Sequence, residues 1–372
     1  MEETLLLDRT HKPDTRSLWE KVFTEDSEGF LDFYSEYVLP YNECYGIYGS
    51  DGELASMLQL NPYSLDICGR QTASRYIVAV ATDAPLRHRG LMRRLLSQSL
   101  KDMNLKGIPF AYLMPADEAI YKPFGFSVFY ENNMLWASQD EACERLAAAP
   151  VAPEDLPGLV TFYNSVLSAF DCATHRDEAY CAKLLAEAKS EGGGILRARD
   201  ISGNILAAAA YWCGPEPEIF DMLSLPGYTQ AAANSMARHF GRRIKICGLP
   251  AGSGTAGSYI MGRITDFAAF AGLFNSCGPV TLRIGVRDGI IPENNGIYTW
   301  NVSADESTVT KTDGSAAADI EGDISGFFMW LSGRCPLDSL VKNSVLAVAD
   351  PATMKKAESI RVWRSVLINE VI

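Results

Sequence analysis

Histidine is scarce in this sequence, and the cysteines form no motif. Four histidines occur in 372 residues, at 11, 88, 175 and 239, and no HExxH or similar ligand pair is among them. Nine cysteines, an odd number, are scattered from Cys44 to Cys335 without a single CxxC. That spacing gives neither a zinc site nor a disulfide framework. No bound metal is expected, and the thiols should be reduced and mostly buried. Also missing is any run of about 18 apolar residues, the length a membrane span needs. The opening MEETLLLDRTHK has acids first and three leucines in a row. It lacks the basic stretch and longer apolar segment of a secretory leader, so a cytoplasmic location is the expectation. Positive charge is outnumbered, and the net charge is −13. Binding to phosphate backbones needs a basic face, which makes nucleic acid an unexpected partner. An acidic surface can draw in cationic substrates, but it also serves plain solubility.

Hydrophobic residues make up 47% of the chain and charged residues 21%, the mix of a soluble globular protein. At roughly 100–200 residues per domain, the length corresponds to two or three domains. One unit is written twice. In the first half, CYGIYGSDGELASMLQL reads as strand, turn at Gly49–Gly52, strand; YIVAVATD follows as a strand, GLMRRLLSQSLKDM as a helix and PFAYLMPA as a strand. In the second half, GGGILRARDISGNILAAAAYW reads as strand, turn at Asp200–Asn204, strand; then come EIFDMLSL, QAAANSMARHFGR and RIKICGL as strand, helix and strand. Turn residues and alternation carry both readings. From about Gly257 the texture changes. YIMGRITDFAAFAGLF has apolar spacings of three and four and predicts a helix. VTLRIGVRDGIIPENNGIYTWNVS predicts a hairpin, and DISGFFMWLSGR and LDSLVKNS predict short helices. These make a third, α+β unit.

The two copies differ after their third strand. The first has APLRHRGLMRR and the second PGYTQAAANSM, without arginine. From Ala84 to Lys106 there are six Lys and Arg and one acid, a local +5 in an acidic protein. Gly90 lets the backbone turn and approach a ligand closely, and a helix begins at Leu91. A helix start with unpaired N–H groups and a positive dipole end suits a phosphate, so a compact polyphosphate is the favoured ligand. A merely solvated basic face is the competing reading. The segment is neither a GK[ST] phosphate loop nor a GxGxxG turn.

The order strand, RHRGLM at Arg87–Met92, helix, strand resembles motif A of the GNAT acyltransferases, R/Q-x-x-G-x-G/A, with Met92 where the small last residue stands. VATDAPLRHRGLMRRLL followed by PADEAIYKPFGFSVFY at Pro115–Tyr130 resembles more closely the Eis (enhanced intracellular survival) acetyltransferases. MGRITD and PENNGIY resemble that family's C-terminal domain. The resemblance covers the whole chain. It implies two tandem GNAT-like units, the second degenerate, and a sterol-carrier-protein-like α+β domain, over residues 1–140, 141–258 and 259–372. It implies acetyl-CoA as co-substrate, along Val80, Ala81 and Thr82, with its pyrophosphate on Arg87, His88, Arg89, Gly90, Leu91, Met92 and Arg93. Ala116 and Asp117 match positions lining the thioester side. A homo-oligomer, a hexamer in the family, is implied as well.

Aminolysis of a thioester has two proton demands. The attacking amine must lose a proton, and the leaving thiolate, with a thiol pKa of roughly 8.5, gains from a nearby acid. Neutral tyrosine has a proton to share, and the resemblance assigns that role to Tyr121, one of sixteen tyrosines. It assigns the base to the α-carboxylate of Ile372, where the family often ends in an aromatic residue. Glu370, Asp26 and Glu28 are alternative bases. The implied reaction is acetylation of amines of the aminoglycoside, polyamine or lysine type. Transfer of another acyl group, a peptide N-terminus as acceptor, and a lipid- or ligand-binding protein using the C-terminal domain are the alternatives.

Overall fold

Tight turns lay down the first sheet. The computed structural model describes residues 3–139, 146–214, 216–250, 252–312 and 317–370, and they fall into two units. One holds the chain up to Val22 with Asn42–Tyr130 and Tyr259–Ser365; the other holds Phe23–Tyr41, Glu131–Ser258 and the chain from Val366 on.

In the first unit, strands Leu5–Leu7, Glu43–Tyr48, Leu54–Ile67 and Arg70–Thr82 lie side by side and antiparallel. Cys68 and Gly69 close the long hairpin, both at positive φ (48° and 78°), the two-residue turn that matches strand twist. Helix Leu91–Leu105 buries Leu91, Leu95, Leu96, Leu100 and Met103. It crosses over to strand Phe110–Leu113, which pairs in parallel with Arg70–Thr82 at Arg75↔Ala111 and Tyr76↔Tyr112. The same unit contains a second sheet. Its strands, in spatial order, are Ser307–Thr312, Gly296–Val302, Val280–Arg287, Ile320–Asp323 and Leu346–Val348. Helices Ile324–Leu331, Leu337–Lys342 and Pro351–Ala357 accompany it. Rings of Phe110, Phe270, Phe328 and Trp363 meet at 5.5–6.1 Å and join the two sheets' cores.

The helix expected over Tyr259–Phe274 is not there. Thr255–Ile264 is a strand, paired with Phe110–Leu113 through Met261↔Leu113 and Ile264↔Phe110. The helix is only Phe267–Ala271, and Asp266 starts it by accepting the Ala269 N–H at 2.9 Å. Ile260 to Thr265 are buried without a break. A strand covered on both faces has no alternation, so a short apolar run fits either period. Gly262 faces the Phe328 ring, 2.3 Å from where a Cβ would lie.

The second unit repeats the first's topology. Strands Gly194–Arg199, Ile205–Cys213 and Pro217–Ser224 are antiparallel neighbours. Helix Thr229–Phe240 then crosses to Ile244–Leu249, parallel to Pro217–Ser224 at Glu218↔Lys245 and Ile219↔Ile246. In both copies the third strand carries one extra residue. Ala79 and Val80 stand between the paired Val78 and Ala81, against Leu58 alone on the neighbour. Phe220 stands between the paired Ile219 and Asp221. Such bulges bend a strand and leave a backbone group outside the ladder.

Eight cysteines are described and all are free, but only Cys44, Cys172 and Cys181 are buried. Cys68, Cys213 and Cys277 are exposed at turns and strand ends, against the expectation of mostly buried thiols. Cys143 lies outside the described residues. Among the described residues, no helix is long and apolar enough to cross a membrane.

Candidate active site

The site begins where two parallel strands part. Past Tyr76, Arg70–Thr82 runs on to Thr82 with no further pairing to Phe110–Leu113. Ala79 sits in the bulge at φ 52°, outside the usual range of a residue with a side chain. Ser56, fully buried on the neighbouring strand, fixes the end. Its hydroxyl donates to the Ala81 carbonyl at 2.8 Å and lies 2.8 Å from the Thr82 hydroxyl.

The basic loop follows. Ala84–Leu86 is a single 3-10 turn, His88 adopts φ 63° and Gly90 φ 77°. Gly90 precedes the helix without a side-chain cap. Among the described residues, the amides of 88–93 have no hydrogen-bond acceptor. Arg87, His88, Arg89, Gly90 and Arg93 are exposed, while Leu91 is buried and Met92 half-buried. Arg87 Nε reaches the Thr82 carbonyl at 3.3 Å. A row of free amides, a helix start and three exposed guanidiniums fit a diphosphate. In the second unit the matching connection is four residues, 225–228. Its Tyr228 amide is spent on Leu225 O, at 3.1 Å. That copy lacks both the guanidiniums and the longer loop.

Tyr121 closes the site from the other strand. Ala116 and Asp117 are exposed just past Phe110–Leu113. Asp117 caps the short helix Glu118–Tyr121 by accepting the Ala119 N–H at 2.8 Å. Tyr121 is 8% exposed. It packs in one apolar cluster with Leu91, Phe124 and Phe126, and Val80 and Met92 pack against that cluster. The large side chain at Met92 is accommodated there. Burial raises the Tyr121 phenol to about 12, so it is neutral through the physiological range. Its hydroxyl has no hydrogen-bond partner among the described residues. The Arg93 guanidinium lies over the Phe124 ring, 5.0 Å from its centre, and links the helix start to the Tyr121 segment. The structure thus brings together the strand end, the loop, the helix start and Tyr121. Ile372 lies outside the described residues.

Two parts of this arrangement escaped sequence reasoning. Ser56 gave no signal beyond its place on a strand. Arg263 lies in the apolar run whose spacing predicts a helix, yet its Nε donates to the Phe124 carbonyl and its Nη2 to Asp288 Oδ1 at 2.6 Å. Gly125, at φ 83°, has Arg263 Nε 3.3 Å from where a Cβ would lie. The glycine of YKPFGF therefore makes room for that bond. A buried arginine in an apolar run was the available hint.

Residues 6–129 match the family model of the acetyltransferase (GNAT) domain. The chain carries a GNAT acetyltransferase domain. It is an acyltransferase, and residues 270–366 match the sterol carrier protein domain. No protein of curated function matches the sequence. Solved structures share the fold over nearly the whole chain. A probable N-acyltransferase from Enterococcus faecalis has a TM-score of 0.84 at 16% identity, covering 99% of each chain. A GCN5-related N-acetyltransferase from Anabaena variabilis has 0.79 at 16%, covering 97% of each. Eis1 from Mycobacterium abscessus has 0.70 at 14%, covering 96% of each. In fold the chain is Eis-like, with a mixed α/β first unit and a sterol-carrier-like domain.

Proposed function

We propose that this GNAT protein is an acetyl-CoA-dependent N-acetyltransferase acting on amines of the aminoglycoside, polyamine or lysine type. The observation that carries the reading is the row of amides at 88–93, free among the described residues and beside Arg87, Arg89 and Arg93, with Leu91 and Met92 of that stretch packed against buried Tyr121. Bound acetyl-CoA would supply the thioester whose acetyl group passes to the amine, with release of the thiol. Arg87 to Arg93 hold the pyrophosphate, and the open edge at Val80–Thr82 holds the pantetheine arm. Ala116 and Asp117 border the acyl end. Tyr121 donates its hydroxyl proton to the leaving sulfur. Its phenol is a weak acid in this site, so transfer occurs as negative charge builds on the sulfur. The base in this reading is the carboxylate of Ile372, which takes the ammonium proton. The net charge of −13 favours cationic acceptors at long range.

The domain division is 1–140, 141–258 and 259–372, with the second a GNAT unit that has lost its diphosphate loop. The protein works in the cytoplasm, as a homo-oligomer. The test is thiol release from acetyl-CoA with a panel of aminoglycosides, polyamines and lysine peptides. Turnover with at least one amine class is expected. Absence of both turnover and acetyl-CoA binding would overturn the reading.

A further inference from the structure

In the second unit, the place directly after the bulge is filled from within. Asp221, 2% exposed, accepts from Arg176 Nη1 at 2.6 Å and Nη2 at 3.2 Å. Arg176 is itself 1% exposed and lies over the rings of Tyr163 and Tyr180, at 4.6 and 5.1 Å. The end of the chain supplies a partner to this buried pair and another to Tyr180 beside it. Asn369 Nδ2 donates to Asp221 Oδ1 at 2.9 Å. The Tyr180 hydroxyl donates to Glu370 Oε1 at 3.2 Å. Just before them, Val366–Leu367 pairs in parallel with Cys172–Thr174, through Val366↔Cys172 and Leu367↔Ala173. Asn369 and Glu370 are each only 5% exposed.

A tail can be docked by apolar side chains alone, and burying charge to do so is costly. What a polar cluster adds is a fixed register and a group that can be switched. Glu187, on helix Glu178–Ser190, is that group. It shares a small cavity with Tyr180, Lys183, Asp221, Asn369 and Glu370. Its carboxyl has no hydrogen-bond partner among the described residues, and the residue is 5% exposed.

We propose that Arg176, Asp221 and Tyr180 form a clamp that positions the C-terminal segment Val366–Glu370, and that Glu187 is the group through which pH opens it. The charged and titratable groups facing Glu187 are Lys183 and Tyr180 from its own helix, Asp221 with Arg176 behind it, and Glu370. Burial, with the carboxylates of Glu370 and Asp221, pushes the Glu187 carboxyl up to about 8 against the pull of Lys183. Below that value Glu187 is neutral and the two neighbouring carboxylates are tolerated. Above it a third negative charge faces Glu370 and Asp221, and the tail is repelled. The clamp's bearing on catalysis rests on the reading that Ile372, two residues past Glu370, carries the base. Tyr180 and Asp221 are then positioning residues.

Amide hydrogen exchange of 366–370 in the full chain tests the clamp, at about pH 6.5 and about pH 9.5, corrected for intrinsic rates. The expected result is protection at the lower pH and exchange about tenfold faster at the higher one. Glu187→Gln, neutral at both, keeps the segment protected throughout. Tyr180→Phe removes one anchor and speeds exchange at both pH values by about tenfold, the scale of a hydrogen bond to a charged group. Equal exchange in the parent chain and in both variants would overturn the clamp. Activity separates the two readings. If Tyr180→Phe loosens the segment and lowers kcat without moving KM for acetyl-CoA, both stand. If it loosens the segment and kcat is unchanged, the clamp stands and the Ile372 base does not.

Discussion

Arg263 and Asp288 are bonded at 2.6 Å with their side chains 0% and 1% exposed, and the same arginine donates to the carbonyl of Phe124. Asp288 also accepts the N–H groups of Ile290 and Ile291 and the Asn294 side chain. The strand leading into the sterol-carrier-like domain therefore props the segment that carries Tyr121. Removing one partner of a buried pair leaves an uncompensated charge and costs about 3–5 kcal/mol. Asp288→Ala should lower stability by that amount in a denaturant titration. It should also lower kcat more than it raises KM for acetyl-CoA, because Tyr121 loses its support. A stability loss below about 1 kcal/mol would show that the pair is not holding the segment.

The repeat was legible because it is written in turns and alternation. Gly49–Gly52, Asp200–Asn204, the β-branched run at 76–83 and the leucines of 91–100 each point one way. Thr255–Ile264 was not legible, since its apolar residues face cover on both sides and only its partner strand decides its period. Much of the basic loop could be located from charge and Gly90 alone. Its partners could not. Ser56, Arg263 and Phe124 act through contacts with residues far away in sequence. The partners of Asn369 and Glu370, Asp221 and Tyr180, were equally hidden, because they too lie far away in sequence.

Gly90 stands at φ 77° with open space where a Cβ would point. Gly90→Ala should therefore cost backbone strain alone, about 1–2 kcal/mol. If the strain relaxes by moving the helix start, the free amides of 88–93 lose their alignment. Calorimetry should then show acetyl-CoA binding weakened by about tenfold. Unchanged binding would mean that this turn does not shape the coenzyme site.

Arg87 and Arg89 are exposed, and among the described residues their guanidiniums hydrogen-bond only to backbone, at Thr82 O and Pro85 O. Replacing both by glutamine should leave stability within about 0.5 kcal/mol. Acetyl-CoA affinity should fall by about tenfold or more, and its dependence on salt should flatten, because charge-assisted contacts to phosphate are lost. Full affinity with an unchanged salt response would remove these residues from the pyrophosphate site.

Tyr121→Phe separates chemistry from binding. The ring stays in its cluster with Leu91, Phe124 and Phe126, so acetyl-CoA affinity should hold. Loss of a general acid typically costs about 10²–10⁴-fold, and kcat should fall within that range. The pH dependence has a definite sign. Burial raises the phenol from 10 to about 12, so the folded protein keeps a proton that the unfolded chain gives up near pH 10. Stability is fully present below pH 10 and declines as pH climbs toward 12. In the phenylalanine variant that part of the alkaline decline should disappear. The parent enzyme's rate should show no fall from this group below about pH 11. A kcat unchanged by the substitution would assign Tyr121 to packing alone.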